Sequence, residues 1–275
     1  MFHVVKHDIT ETDMKKARLT FLGTGTSQGV PMIGCRCEVC CSEDSRDKRL
    51  RASVLVEYCG QTILVDAGPD FRQQMLREGI SHLDAILLTH NHKDHTGGLD
   101  DIRAFNYLEK EPTHIYCEKY VEDSLRMEYS YAFAENKYPG APEWDVHIID
   151  DLPLEIPSKD GSDTVKIIPV RGRHFKLPVL GYRFGNIAYC TDMNHIPEEE
   201  FAKLEGLEHF IINCVRRGRH ISHFSLEGAI KVAERVGAKH TWLTHLSHQL
   251  PRYEDLCAEL PSHIRPAYDG LIIEA

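Results

Sequence analysis

"LLTHNHKDHTGGL", residues 87–99, carries His90, His92, Asp94 and His95 within six positions. The run leading into it, "DAILLT", reads as a buried strand, so these four side chains begin where a strand ends, on a rigid base. In extended chain, residues two apart point the same way, which lets His90 and His92 grip one ion. As the chain turns toward the next helix, Asp94 and His95 can face a neighbouring ion. Neutral imidazole with carboxylate suits Zn²⁺, Mn²⁺ or Fe. The spacing is not that of H-E-x-x-H, in which two histidines share one helical face. A merely solvated loop has no need of four donors directly behind an apolar strand.

Around this stretch the chain alternates strand-like and helix-like runs. Strand-length apolar runs include "RLTFLG", "SVLVEY", "TILVDAG", "HIYC", "VHIID", "VKIIPV", "FIINCV", "HTWLTH" and "LIIEA". "YRFGNIAY" predicts a hairpin about Gly185-Asn186. In "PDFRQQMLREG" Phe71, Met75 and Leu76 are expected on one helical face, with Gly79 as the stop. "IPEEEFAKLEG" and "SLEGAIKVAERVG" predict two later helices, the second with Leu226, Ala229, Ile230 and Ala233 on its apolar stripe. "PSKDGSD", residues 157–163, reads as an exposed turn rather than a boundary. The expectation is one α/β domain over residues 18–275, preceded by a polar extension at 1–17.

At 275 residues, 42% hydrophobic and 27% charged, the chain has ample length for a core. No apolar run approaches the roughly 18 residues that cross a membrane. The N-terminus lacks the apolar core of a signal peptide, so the cytoplasm is the expected compartment. A net charge of −10 disfavours indiscriminate nucleic-acid binding. A small phosphorylated substrate stays open, because a bound metal inverts the local field. The nine cysteines are an odd count, which argues against a disulfide framework.

H-N-H-K-D-H after a strand resembles the signature of the metallo-β-lactamase superfamily. The resemblance covers nearly the whole chain from Arg18. It implies an αββα four-layer sandwich, two mixed sheets face to face with helices outside. "LVDAG", with Asp66 and Gly68, looks like the strand and turn beneath the metals. "YCTDMN" supplies Asp192, "RGRHFKLP" supplies His174 and "WLTHLSH" supplies His245. The family pattern assigns His90, His92 and His174 to one ion, and Asp94, His95 and His245 to the other, with Asp192 shared. Lactamases of the superfamily often place a cysteine where this chain has Asp192, which argues against β-lactam hydrolysis.

"FLGTGTSQGVPMIGCRCEVCC", residues 21–41, adds three thiols in C-R-C-E-V-C, and tetrahedral zinc needs a fourth ligand. The stretch resembles that of the phosphoribosyl cyclic phosphate phosphodiesterase subgroup, where a histidine three residues beyond the last active-site histidine completes a structural zinc site. "THLSHQL" places His248 at that spacing from His245. The resemblance thus implies Cys35, Cys37, Cys40 and His248, with Cys41 as an alternative to Cys40. Redox-active thiols are the rival reading, and they leave His248 unexplained.

The resemblance implies a metal-dependent phosphodiesterase in which a hydroxide bridging two ions, Zn or Mn, attacks phosphorus. Asp94 would orient the nucleophile. By likeness of "SHFSLEGAI", His223 would be the general acid, with His220 its competitor. Arg216, Arg217 and Arg219 are candidates for a substrate phosphate. Asp269 in "PAYDGLIIEA" would orient a ligand histidine or shape a turn. The aromatic-rich "MEYSYAFAENKYPGAPEW", residues 127–144, could cover the active-site mouth. Phosphoribosyl cyclic phosphate, cyclic nucleotides and short oligonucleotides are the open substrate classes, and a homodimer is what the resemblance suggests. A transfer-RNA 3′-processing nuclease shares the motif but should carry a basic arm. A glyoxalase-II-like thioester hydrolase lacks the cysteine cluster, and a pyrroloquinoline-quinone biosynthesis protein shares it.

Overall fold

The computed structural model describes residues 16–149, 153–157 and 164–275. Most of the 1–17 extension and of the 157–163 turn therefore lies outside the described residues. Ala17 is already part of the fold: it is buried and exchanges two backbone hydrogen bonds with Ala275.

Six strands run first: β1 (Arg18–Gly23), β2 (Ser53–Tyr58), β3 (Gln61–Val65), β4 (Ala85–Leu87), β5 (Thr113–Cys117) and β6 (Trp144–Ile148). Seven more form a second sheet: β7 (Leu154–Pro157), β8 (Thr164–His174), β9 (Leu177–Phe184), β10 (Ile187–Cys190), β11 (His209–Asn213), β12 (His240–Thr244) and β13 (Ile264–Pro266). The last strand, β14 (Ile272–Glu274), returns to pair with β1, giving the sheets β14-β1-β2-β3-β4-β5-β6 and β13-β12-β11-β10-β9-β8-β7. Each sheet reads the same way from β14 or from β7: three antiparallel pairings, then three parallel ones. Parallel strands need crossover connections, and these supply the outer helices.

The helices are α1 (Phe71–Glu78), α2 (Lys93–Thr96), α3 (Arg103–Glu109), α4 (Lys119–Glu128), α5 (Leu226–Val236) and α6 (Tyr253–Glu259). Three apolar layers separate four structural ones. The central layer joins Phe21, Val54 and Ile63 of one sheet to Ile167, Tyr182 and Ile211 of the other. The outer layers pack α1, α3 and α4 on the first sheet and α5 and α6 on the second. The sandwich expected from the resemblance is therefore the fold observed. The 185–186 hairpin joins β9 to β10, and α5 buries Leu226, Ala229 and Ala233 before stopping at left-handed Gly237. "IPEEEFAKLEG" forms a 3₁₀ helix over Glu198–Leu204. One face was misjudged: Leu76 is 65% exposed, and Gln74 is buried instead because its side-chain N–H donates to the Arg51 carbonyl at 2.9 Å.

The strand exits carry the chemistry and the strain. Asp66 (φ 64°), Asp192 (φ 57°) and His245 (φ 54°) sit within two residues of the ends of β3, β10 and β12. Left-handed backbone at non-glycine residues costs on the order of 1–3 kcal/mol each and concentrates at functional sites. Close backbone approach fixes two glycines beside them. A Cβ at Gly68 would lie 2.0 Å from the Asp94 carbonyl oxygen, and one at Gly98 would lie 2.1 Å from the Gly68 carbonyl oxygen. Gly98→Ala should thus cost at least about 2 kcal/mol through overpacking. Thermal denaturation would read this beside Gly218→Ala, whose Cβ meets nothing within 4 Å. Equal melting temperatures would show that the turn yields freely.

Candidate metal centre

β3 ends in Asp66, β4 runs out into Thr89 and His90, and α2 carries Asp94 and His95. The buried Asp66 carboxylate joins all three. Its Oδ1 accepts the Thr89 N–H at 2.8 Å, and its Oδ2 accepts the Thr89 hydroxyl at 2.8 Å and pairs with His95 Nδ1 at 2.7 Å. The Thr89 hydroxyl spends its hydrogen on Asp66, so it accepts from His90 Nδ1 at 2.9 Å. His174 Nδ1 likewise faces an obligate acceptor, the Asp192 carbonyl, at 3.1 Å. In all three rings Nδ1 is taken up by the protein, and Nε2 is the atom turned inward.

The seven expected side chains converge. The rings of His90, His92 and His174 form one group, with centroids 4.6, 4.9 and 5.6 Å apart. Asp94, His95, Asp192 and His245 form the other, their donor atoms lying within 4.8 Å of one another. Asp192 stands between: its Oδ2 is 3.2 Å from His245 Nε2, 3.3 Å from His95 Nε2 and 3.9 Å from His90 Nε2. Its Oδ1 accepts the Thr191 hydroxyl at 2.6 Å, which turns Oδ2 inward.

Burial and charge show what this pocket lacks. Among the described residues, His90 Nε2, His95 Nε2 and His245 Nε2 are buried and make no hydrogen bond. Burial lowers the His95 imidazole, but Asp192, Asp94 and Asp66 outweigh it and hold it well above its usual range. Burial raises the Asp192 carboxyl, yet His245 and His95 hold it well below. His90 is pushed well below its ordinary value by burial and by His95. Orphaned imidazole nitrogens facing two close carboxylates are a donor set that divalent cations satisfy.

The thiols meet as expected. Cys35 Sγ and Cys37 Sγ lie 3.3 and 3.4 Å from His248 Nδ1, and Cys40 completes a four-donor cluster. Cys40 is buried within this group, whereas Cys41 is exposed and stands outside it. The Cys40 N–H, with His248, lowers the Cys37 thiol to about 6 against burial, while burial pushes Cys40 up to about 11. The cluster's chain is also tied to the His245 loop directly: Thr26 N–H donates to the Leu246 carbonyl and Leu246 N–H to that of Thr24.

A cleft of about 740 Å³ is lined by Phe175, Arg216, Arg219, His220, Ile221 and His223 among others. The His223 ring is 4.5 Å from His174 and 4.6 Å from His245, and its Nδ1 is 3.9 Å from Asp192 Oδ2. Its donor atom groups with those of His174 and Asp192, nearer the centre than a residue waiting in the mouth. Burial, then His245, lowers it to about 2. His220 stands one ring further out, 4.9 Å from His223.

Two expectations fail, and a third resolves to one of its alternatives. Arg217 does not line the cleft; it pairs with Glu259 on the surface. Asp269 takes the turn-shaping role and touches no ligand histidine; its carboxylate accepts Thr24 N–H, Thr24 hydroxyl and Leu50 N–H at 2.8–2.9 Å, closing the loops under the cysteine stretch. The aromatic segment does not cover the mouth, because Tyr129 and Phe133 pack on Trp144 against the outer helical layer. There the Tyr129 hydroxyl donates to the Thr96 carbonyl, bracing α2 from behind. The roles of Asp66 and Thr89 as ring-setters were missed; the only signal was a polar residue at each strand exit.

Paired histidine–carboxylate donors at the strand ends of such a sandwich define a hydrolase of the metallo-β-lactamase fold. Residues 61–246 match the beta-lactamase superfamily domain. A crystal structure described as a new diphosphatase from the PhnP family is 40% identical, with a TM-score of 0.86 over 94% of this chain and 97% of that one. The chain belongs to the beta-lactamase superfamily and, within it, to the PhnP family. Zn²⁺-bound PqqB from Methylobacterium extorquens shares the fold at 19% identity and a TM-score of 0.71, over 93% of this chain and 99% of that one. An octanoyltransferase of Porphyromonas gingivalis is 42% identical over 257 residues, 92% of this chain. The chain spans about half, 51%, of that protein's length. No helix among the described residues is long and apolar enough to cross a membrane.

Asp66→Asn keeps the shape but removes the charge on His95 Nδ1. Altering such an outer partner typically costs 10–100-fold in metal affinity, so chelator competition should show a loss of about that size. Unchanged competition would make the Asp66 network dispensable.

Proposed function

We propose that this chain is a metal-dependent hydrolase of a small, anionic phosphodiester. The observation that carries the reading is the cleft: Arg216, Arg219, His220 and His223 line one opening that leads onto the donor groups. Two divalent ions, Zn²⁺ or Mn²⁺, would be held by His90, His92 and His174 and by Asp94, His95 and His245, with Asp192 shared. Bound there, they supply Lewis acidity and lower the pKa of water toward neutrality.

The chain's own groups do the rest. Arg216 and Arg219 present guanidinium to the phosphoryl oxygens, a match of planar donors to anion. Asp94 orients the attacking water. His223 hands a proton to the leaving oxygen, and His220 behind it relays from solvent. A phosphoryl anion beside the His223 ring favours its charged form, which burial and His245 disfavour. Phe175 and Ile221 form the apolar rim for the organic part of the substrate. Cys35, Cys37, Cys40 and His248 would hold one structural zinc.

A diphosphate is the second reading, favoured by the diphosphatase neighbour. It uses the same attack at phosphorus with phosphate as leaving group. Bis-p-nitrophenyl phosphate, a cyclic phosphodiester, a diphosphate, a chromogenic thioester and a chromogenic β-lactam form the deciding panel. Turnover confined to phosphorus substrates supports the reading, and turnover confined to the thioester overturns it.

His223→Ala should keep its metals and lose about 10²–10⁴-fold in rate, the range for a lost general acid. The loss should shrink for p-nitrophenolate, which leaves without protonation; an equal loss for all leaving groups would remove the acid role. Cys37→Ser should release one zinc per chain and lower the melting temperature, whereas Cys41→Ser should do neither. Equal zinc content in both variants would return the thiols to redox chemistry.

A further inference from the structure

A third group of donors lies on the β5–β6 ladder, and none of its members belongs to the two clusters above. Strand pairing sets His114 opposite Asp145 and Tyr116 opposite His147. Side chains two apart on a strand share a face, and paired residues share it too, so His114, Asp145 and His147 project together. Their donor atoms already meet. His114 Nδ1 is 3.0 Å from His147 Nε2 and 3.4 Å from Asp145 Oδ2, and His147 Nε2 is 3.5 Å from that same oxygen. The His147 ring is fixed by stacking on Tyr116, with centroids 4.6 Å apart and planes 20° apart.

We infer that His114, Asp145 and His147 form a further divalent-cation site, one that takes Zn²⁺, Ni²⁺ or Cu²⁺ in preference to Mg²⁺ or Ca²⁺. The distances carry this. In a tetrahedral ion with bonds near 2.0–2.1 Å, neighbouring ligand atoms are about 3.3–3.4 Å apart. Two of the three separations, 3.4 and 3.5 Å, lie close to the edge of that tetrahedron, and a small opening of the 3.0 Å His114–His147 pair completes one face. Two imidazoles and one carboxylate select borderline metals over hard oxygen-seeking ones. The three side chains are 49%, 53% and 37% exposed, so an ion can arrive from solvent and keep water as its fourth ligand. Without an ion, one imidazole simply donates its hydrogen to the other, and a cation takes the place of that hydrogen.

The consequence is mechanical. Among the described residues β6 is the edge strand of its sheet, paired with β5 alone. An ion shared by β5 and β6 cross-links that edge and stabilises whatever state contains it, by mass action. None of the site's residues lines the cleft or belongs to the other donor groups, so hydrolysis should not depend on it.

The test uses the full chain with its other metal sites filled, dialysed against buffered micromolar free Zn²⁺. Metal per chain is then counted by mass spectrometry for the native protein, for His114→Ala/His147→Ala and for His147→Gln, which retains a polar side chain if the double variant folds poorly. The expected result is one zinc fewer in both variants, with phosphodiester turnover unchanged. The native melting temperature should rise with added Ni²⁺, and the variants' should not. Equal zinc counts and equal Ni²⁺ responses would overturn the proposal and leave a hydrogen-bonded surface triad.

Discussion

The Asp66 carboxylate sits where two strand ends and a short helix meet, and it answers three groups with two oxygens. A buried carboxylate is costly unless its hydrogen bonds are complete, so this junction tolerates little rearrangement. Completing them fixes the Thr89 hydroxyl, and that hydroxyl fixes the His90 ring. Two imidazoles on different elements thus present Nε2 inward through one buried anion. The close packing of Gly68 against the Asp94 carbonyl keeps α2 at the distance this requires.

The second sheet repeats the device with different partners. Asp192 leaves β10 as Asp66 leaves β3, at the same place in the pairing pattern and with the same left-handed backbone. Here Asn213 secures the turn from both sides: its side chain accepts Met193 N–H at 2.7 Å and donates to the Met193 carbonyl at 3.0 Å. The equivalent carboxylates have diverged in use. Asp66 spends its oxygens on protein groups and sets a ligand ring. Asp192 gives one oxygen to Thr191 and turns the other onto the centre. Two sheets of one pattern, packed face to face, therefore deliver a positioning acid and a shared acid to the same place.

His90, His92, Asp94 and His95 were legible in the sequence because they stand together directly behind an apolar strand, whereas His174, Asp192 and His245 were legible only through the family resemblance. The pairing of His248 with the thiols likewise came from the resemblance, since three thiols alone do not name their fourth partner. Other parts depended on tertiary facts that periodicity does not carry. β7 and β13 are short edge strands, and α3 and α6 are short helices, so each repeats its period at most about twice, too few times to stand out. Gln74 took the buried position expected of Leu76 because a backbone carbonyl from β2's approach needed a donor. Arg217 differs from Arg216 and Arg219 only in which way a turn faces. The aromatic segment was apolar enough for a lid, but an outer helical layer also needs apolar cover, and it was that need that the segment met.

One stretch of three residues couples the donor groups to the cleft. Asp192 turns its Oδ2 between the two groups, toward His90, His95 and His245. The Met193 carbonyl accepts Phe224 N–H at 2.8 Å, anchoring the loop that carries His220 and His223. Asn194 accepts Phe175 N–H at 3.0 Å and donates to the Ile221 carbonyl at 2.8 Å, so it sets both apolar walls of the cleft. Phe175 is itself left-handed, at φ 59°, and such backbone persists only where neighbours hold it. Because the walls hang from Asn194, two residues beyond Asp192, the position of the cleft is referenced to the donor groups. What residues 216–225 present to the cleft can then vary while the donors beneath stay fixed by the sheet ends.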